Sequence, residues 1–156
     1  MLKDYQKKLL ELLEQLELEV SNLYKLFAEK FPTQKELWNC LHHEEIKHAA
    51  YINKLTSFAK EDLVIFDEKM TKTYTVQSVI NDIKDKYNKT ENNQYNIINA
   101  LSFTLSLEQS IIEHKFYDYF SSKNPEAMTM IKEIKGETFM HEAKVKEALE
   151  AEKNKN

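Results

Sequence analysis

Residues 33–59, TQKELWNCLHHEEIKHAAYINKLTSFA, decide the fold. Read in alternating steps of three and four, they put Trp38, Leu41, Glu45, His48, Ile52 and Leu55 on one face, the spacing of an amphipathic helix. Two of those inward positions are polar, a glutamate and a histidine three residues apart. Thr33 followed by Glu36 is a capping-box pattern and predicts the start of this helix. Phe31-Pro32 just upstream closes whatever precedes it, because the residue before a proline disfavours the α region.

Upstream, residues 2–31 carry leucines and aromatics at helical spacing, so a first long helix and the 33–59 helix form an antiparallel hairpin. Downstream, from 60 to about 93, the pattern weakens around one short amphipathic piece, Val76 to Ile83. This is expected to be a long crossover. A third helix is predicted over 94–121. Asn124-Pro125 then supplies an N-cap and a proline at the first helical position for a fourth helix over 125–152. Two tight hairpins joined by one long connection describe an all-α four-helix bundle of the ferritin kind, in one domain spanning 1–156.

Composition agrees. One glycine and two prolines in 156 residues are too few for the turns of a sandwich, a barrel or a nucleotide-binding sheet. With 22 basic against 26 acidic side chains the net charge is −4, which lacks the basic footprint of a nucleic-acid binder. The N-terminal stretch has no signal-peptide pattern and no segment has the apolar length of a membrane span. A cytoplasmic protein without nucleic-acid or membrane partners is expected. The single Cys40 excludes an internal disulfide and any CxxC metal centre, and without a cationic cluster beside it the thiol is expected to be inert.

Each helix has a polar residue inside its apolar seam. The first reads Leu10, Leu13, Glu17, Val20, Tyr24, Phe27; the third Ile98, Leu101, Leu105, Glu108, Ile112, Lys115, Tyr119; the fourth Ile131, Ile134, Thr138, His141, Val145, Ala148. Counted from the first turn at the helical rise, Glu17 lies about 23 Å away, Glu45 about 19 Å and His48 about 23 Å. From the second turn Glu108 lies about 23 Å away, Thr138 about 22 Å and His141 about 26 Å. The groups are level. Three carboxylates and two imidazoles gathered in an apolar core are costly to leave bare, and a divalent cation makes the cluster favourable. Carboxylate and imidazole without thiolate suit iron, with manganese or zinc also compatible. One glutamate from each of two helices plus Glu-x-x-His from the others is the di-iron carboxylate arrangement.

On these residues the chain resembles the rubrerythrin-like branch of the ferritin-like superfamily, over nearly its whole length. Glu17 with Tyr24 seven residues on is similar to that branch's helix 1 pattern, and Glu44-Glu45-Ile46-Lys47-His48-Ala49 to its Glu-Glu-x-x-His-Ala signature. The resemblance implies iron, one or two ions, held by Glu17, Glu45, His48, Glu108 and His141. It also implies two-electron reduction of peroxide or oxidation of ferrous iron, with an external electron donor. Tyr24 would hydrogen-bond a ligand carboxylate, or simply pack in the core.

The departure is at Thr138, where the family pattern has a glutamate three residues before the histidine. Glu137 and Glu142 each point about 100° away from the Thr138 direction. Three carboxylates bring −3 against +4 for two divalent ions, so a firm ion is expected on Glu17, Glu45 and His48 and a weaker one on Glu108 and His141. Gly136, at about 1 kcal/mol relative to alanine in mid-helix, is expected with Thr138 to leave space near the site. The rival reading is a non-catalytic iron buffer, sensor or protein-interaction bundle, which Thr138 and the lack of a rubredoxin domain favour.

His42 is read as a solvated flank, with a supporting contact to the site as the alternative, and His114 and Lys115 as too far along for ligation. Leu2, Leu9, Leu12, Leu16 and Leu23 exceed what one helix face holds. They suggest a homodimer through helix 1, or partial cover by the crossover.

Overall fold

The computed structural model describes residues 1–114 and 116–155, with side chains described outside 111–116. Ile112, His114 and Lys115 lie outside the described side chains. The chain is mostly helical: α1 spans Asp4–Lys30, α2 Lys35–Lys60, α3 Thr73–Glu91, α4 Ile97–His114 and α5 Pro125–Lys153. A single 3-10 turn, Pro32–Gln34, separates α1 from α2, so the two helices run back along each other. α1 packs against α2 and α3, α4 against α5, and α2 against α5. Among the described residues, no helix is long and apolar enough to cross a membrane.

Three expectations need correction. The Thr33/Glu36 capping box does not start α2. Pro32 opens the 3-10 turn instead, and Gln34 stands at the N-cap without a side-chain cap bond. The Gln34 amide is drawn to the far end of α5, donating to Glu152 Oε1 at 2.9 Å. Secondly, the third helix of the sequence reading, α4 here, ends at His114 and not at 121. A 3-10 turn, Phe116–Tyr119, follows, and a two-residue strand β2, Phe120–Ser121, pairs antiparallel with β1, Ile65–Phe66. Tyr119 is buried, so its apolar character is real, but it serves this turn and not a helical seam.

The third correction is the largest. Most of the crossover is a 19-residue helix, α3, which buries Val76, Ile80, Ile83 and Thr90. Only four of its residues are buried, so the apolar pattern is thin and bounded by polar sequence. The partner face is supplied by α1, where Leu9, Leu12, Leu16 and Leu23 are all buried within the one chain. The leucine surplus thus has its cover inside the fold and carries no argument for a second copy. With one glycine available, turn residues Asp62 and Asn93 take the left-handed backbone region, at φ 59° and 57°, a conformation that Asn and Asp tolerate better than most residues.

The other helix ends follow the reading. Asn124 caps α5, its side chain accepting from the Ala127 amide at 3.1 Å. Near the α1/α2 turn, the rings of Tyr24, Phe27 and Trp38 pack with centroids 4.9 to 6.4 Å apart, closing one end of the core below the polar residues. Since Ile80 is fully buried, Ile80→Ala should lower the unfolding free energy by about 3 kcal/mol, measured by urea denaturation. An effect below about 0.5 kcal/mol, the range of surface substitutions, would show that α3 is not docked on α1.

Candidate metal centre

All five predicted ligands converge. Glu17 comes from α1, Glu45 and His48 from α2, Glu108 from α4 and His141 from α5, and none is more than 2% exposed. They form two trios, Glu17 with Glu45 and His48, and Glu45 with Glu108 and His141, in which the donor atoms lie within 4.8 Å of one another. Glu45 belongs to both. Its Oε2 is 3.2 Å from His48 Nδ1 and its Oε1 3.1 Å from His141 Nδ1. The two imidazoles stack, with ring centroids 5.8 Å apart and planes inclined by 26°. Each of these helices contributes because its seam carries polar residues at the same height, and the three-residue step from Glu45 to His48 keeps both on the inner face.

Tyr24 donates to Glu108 Oε1 at 2.6 Å, so of its two expected roles the hydrogen bond to a site carboxylate is the one seen. Burial and then the Glu108 charge hold the phenol well above its ordinary range, which keeps it a donor. His42 is half-buried and not simply a solvated flank: its Nδ1 donates to the Ser21 carbonyl at 2.8 Å, tying α2 to α1. Gly136 requires correction. It lies on the exposed side of α5, where an added Cβ would meet nothing within 4 Å. The open space beside it is therefore not at the site. A residue two positions from Thr138 is rotated about 200° around the helix.

Two carboxylates that the sequence reading did not assign complete the geometry. His48 Nε2 donates to Glu137 Oε2 at 2.7 Å, and His141 Nε2 donates to Glu44 Oε2. Each imidazole is thus oriented by a glutamate from the opposite helix, with Nδ1 left towards the centre, the arrangement that fixes a metal-ligating histidine. Lys47 holds Glu137 in turn at 2.5 Å, and the Cys40 thiol lies 3.8 Å from Glu44. The signal was present in the sequence. Glu44 and Glu137 immediately precede the inward positions 45 and 138, and one residue back on a helix turns the side chain about 100°, towards the neighbouring helix.

Protons occupy this cluster in the metal-free protein. Burial, then the charges of Glu45 and Glu108, push the Glu17 carboxyl well above the carboxylate range. Burial pushes Glu45 up as well, but hydrogen bonds with Glu17, His141 and His48 outweigh it and hold that carboxyl well below the usual range. Burial also opposes a charged His141, yet Glu108 and Glu45 outweigh it and its pKa is pushed up to about 11. A divalent cation would replace these protons. The residues fit one: Glu17 Oε2 and Glu108 Oε2 are buried without a hydrogen-bond partner, and the oxygen and nitrogen donors suit iron, manganese or zinc.

Comparison with known protein families, with curated proteins and with solved structures returned no match for this chain.

Two outcomes follow from the proton account. Metal uptake should release protons, because the ligands must shed them, and apparent affinity should rise with pH. Titration of metal-free protein in weak buffer with a pH indicator should show at least one proton released per site at pH 7. In addition, Glu17→Met removes one carboxyl of the trio that Glu17 forms with Glu45 and His48. The metal-free variant should remain folded, read by thermal melting with chelator present. The same variant should lose the melting-temperature gain that added metal gives the wild type.

Proposed function

We propose that this chain is a ferritin-like metal-binding protein that holds iron, in up to two ions, on Glu17, Glu45, His48, Glu108 and His141. We propose further that it is a non-haem iron oxidoreductase acting on peroxide or ferrous iron. The observation that carries the reading is Glu45, a buried carboxylate placed between two imidazoles and shared by two donor trios. Two helix pairs, α1/α2 and α4/α5, joined through a long connection support the ferritin-like assignment, since that connectivity distinguishes it from a simple up-and-down bundle.

Iron in this site supplies exchange between divalent and trivalent states, the chemistry needed to pass two electrons to a peroxide or to take electrons from ferrous iron. The protein's part is positional and electrostatic. Glu17, Glu45 and His48 form the firmer position, and Glu45 extends to the second with Glu108 and His141. Glu137 and Glu44 hold the two imidazoles with Nδ1 inward, and Tyr24 fixes one oxygen of Glu108, leaving the other free. The buried setting excludes bulk water, so each charge interaction inside is stronger than at the surface. An external donor would supply the electrons.

A second reading, a non-catalytic iron buffer or sensor, is favoured by one observation. Thr138 is buried at the site and its hydroxyl donates to the Ile134 carbonyl at 2.8 Å, so it adds no charge to hold a second ion. Anaerobic stopped-flow mixing of iron-loaded protein with hydrogen peroxide and a chemical reductant separates the two. Turnover above that of equal free iron is expected, and its loss in Glu45→Ala, with metal content falling sharply while helicity by circular dichroism persists. No turnover would leave the binding role alone, and unchanged metal content in Glu45→Ala would remove the site.

A further inference from the structure

Inside the centre, Glu17, Glu45 and Glu108 bring three negative charges. Thr138, 2% exposed at the position equivalent to Glu45, adds none, and its hydroxyl donates to the Ile134 carbonyl of its own helix. More charge stands one contact further out. His48 Nε2 donates to Glu137 and His141 Nε2 to Glu44. Lys47 bonds Glu137 at 2.5 Å and lies 3.9 Å from Glu133, which accepts from Tyr51. On the other arm Glu44 lies 3.8 Å from the Cys40 thiol, and Lys144 Nζ 3.9 Å from that sulfur. Glu142 turns away to Gln109 on α4. Among the described residues both chains of contact end there. The six carboxylates and two ammonium groups they join carry −4, which matches the +4 of two divalent ions.

The outer carboxylates act through the rings. A carboxylate that accepts the Nε2 proton makes the other ring nitrogen a stronger donor, and its charge favours a cation beyond the ring. The Glu44 and Glu137 side chains are only 27% and 19% exposed, so solvent screens them in part. The two arms differ. Lys47 offsets Glu137 in direct contact, whereas on the Glu44 arm the ammonium of Lys144 stands one thiol further away. Glu44 therefore presents more of its charge, and it does so to His141, on the helix where Thr138 leaves charge out.

We propose that Glu44 and Glu137 supply, through the two imidazoles, the charge that Thr138 does not, so that this chain holds two divalent ions, and that Lys47 limits the affinity for the second. This rests on the metal-site reading above and names the residues that regulate its second position. All three are positioning residues that act through other groups.

The test is titration of metal-free protein with Co(II), with the two equivalents resolved by equilibrium dialysis and by the visible absorption of the bound ion. Wild type should bind two. In Glu44→Gln the amide oxygen can still accept the His141 bond while the charge is lost, and the second equivalent should bind at least about tenfold more weakly. Lys47→Met separates charge from scaffolding by sign. Loss of a residue that merely held Glu137 in place would weaken binding, whereas loss of a neutralising charge should tighten the second Co(II) by about threefold or more. The double variant returns the network to the wild-type charge and should bind the second ion more tightly than Glu44→Gln alone. A wild type that saturates at one Co(II), an unchanged second affinity in folded Glu44→Gln, or a second affinity not raised in Lys47→Met overturns the proposal. Should Glu44→Gln not fold by circular dichroism, Glu137→Gln takes its place with the same direction expected. Failure of the first Co(II) to bind, or equal binding by Glu45→Ala, would instead overturn the metal-site reading on which the proposal rests.

Discussion

A carboxylate buried in an apolar core must be neutralised, and the centre of this protein is organised around that requirement at Glu45. Its two oxygens face two imidazoles, and Glu17 and Glu108 stand close enough to add further negative charge. Without a cation the balance is kept by protons, held on Glu17 and on His141 through the mutual influence of the group. Such a cluster contributes little to folding compared with apolar residues of the same volume. That cost, at the middle of an otherwise leucine- and aromatic-rich core, is what the proposed cation would offset.

The surrounding framework keeps the cluster in place in layers. Imidazoles are oriented by Glu44 and Glu137 across the α2/α5 seam, Glu137 is held by Lys47, and Glu108 by Tyr24. Below, the Tyr24, Phe27 and Trp38 rings close the core. The five clustered side chains therefore come from four helices, while their orientation comes from side chains hydrogen-bonded to them. The asymmetry at Thr138 stands out because everything around it repeats: the motif, the orienting carboxylate and the imidazole direction occur twice, and the central carboxylate once.

Legibility in the sequence depended on how much information each element carried by itself. The seams of α1, α2 and α5 repeat over many turns, so their existence and approximate limits could be read directly, as could the proline that separates α1 from α2 and the Asn124 cap. Glu17, Glu45, His48, Glu108 and His141 were legible for a related reason: a polar residue inside an apolar seam is conspicuous, and counting from the turns places it in height. α3 was read as a connection with one short amphipathic piece, because a helix burying only Val76, Ile80, Ile83 and Thr90 shows little periodicity of its own. The end of α4 is not legible in the sequence, because Tyr119 and Phe120 continue an apolar pattern that the chain uses for a turn and a strand.

By itself the sequence determined that the protein is helical, that a few polar side chains lie at one depth in its core, and which donor types they offer, since spacing and side-chain chemistry are local properties. Tertiary structure alone decided that α3 covers the surplus leucines of α1, that Gly136 faces away from the site, and that Glu44 and Glu137 reach the imidazoles of opposite helices. Each of those depends on how helices are rotated and set against one another. That is fixed by mutual burial and hydrogen bonding across the fold, which no single stretch of chain contains.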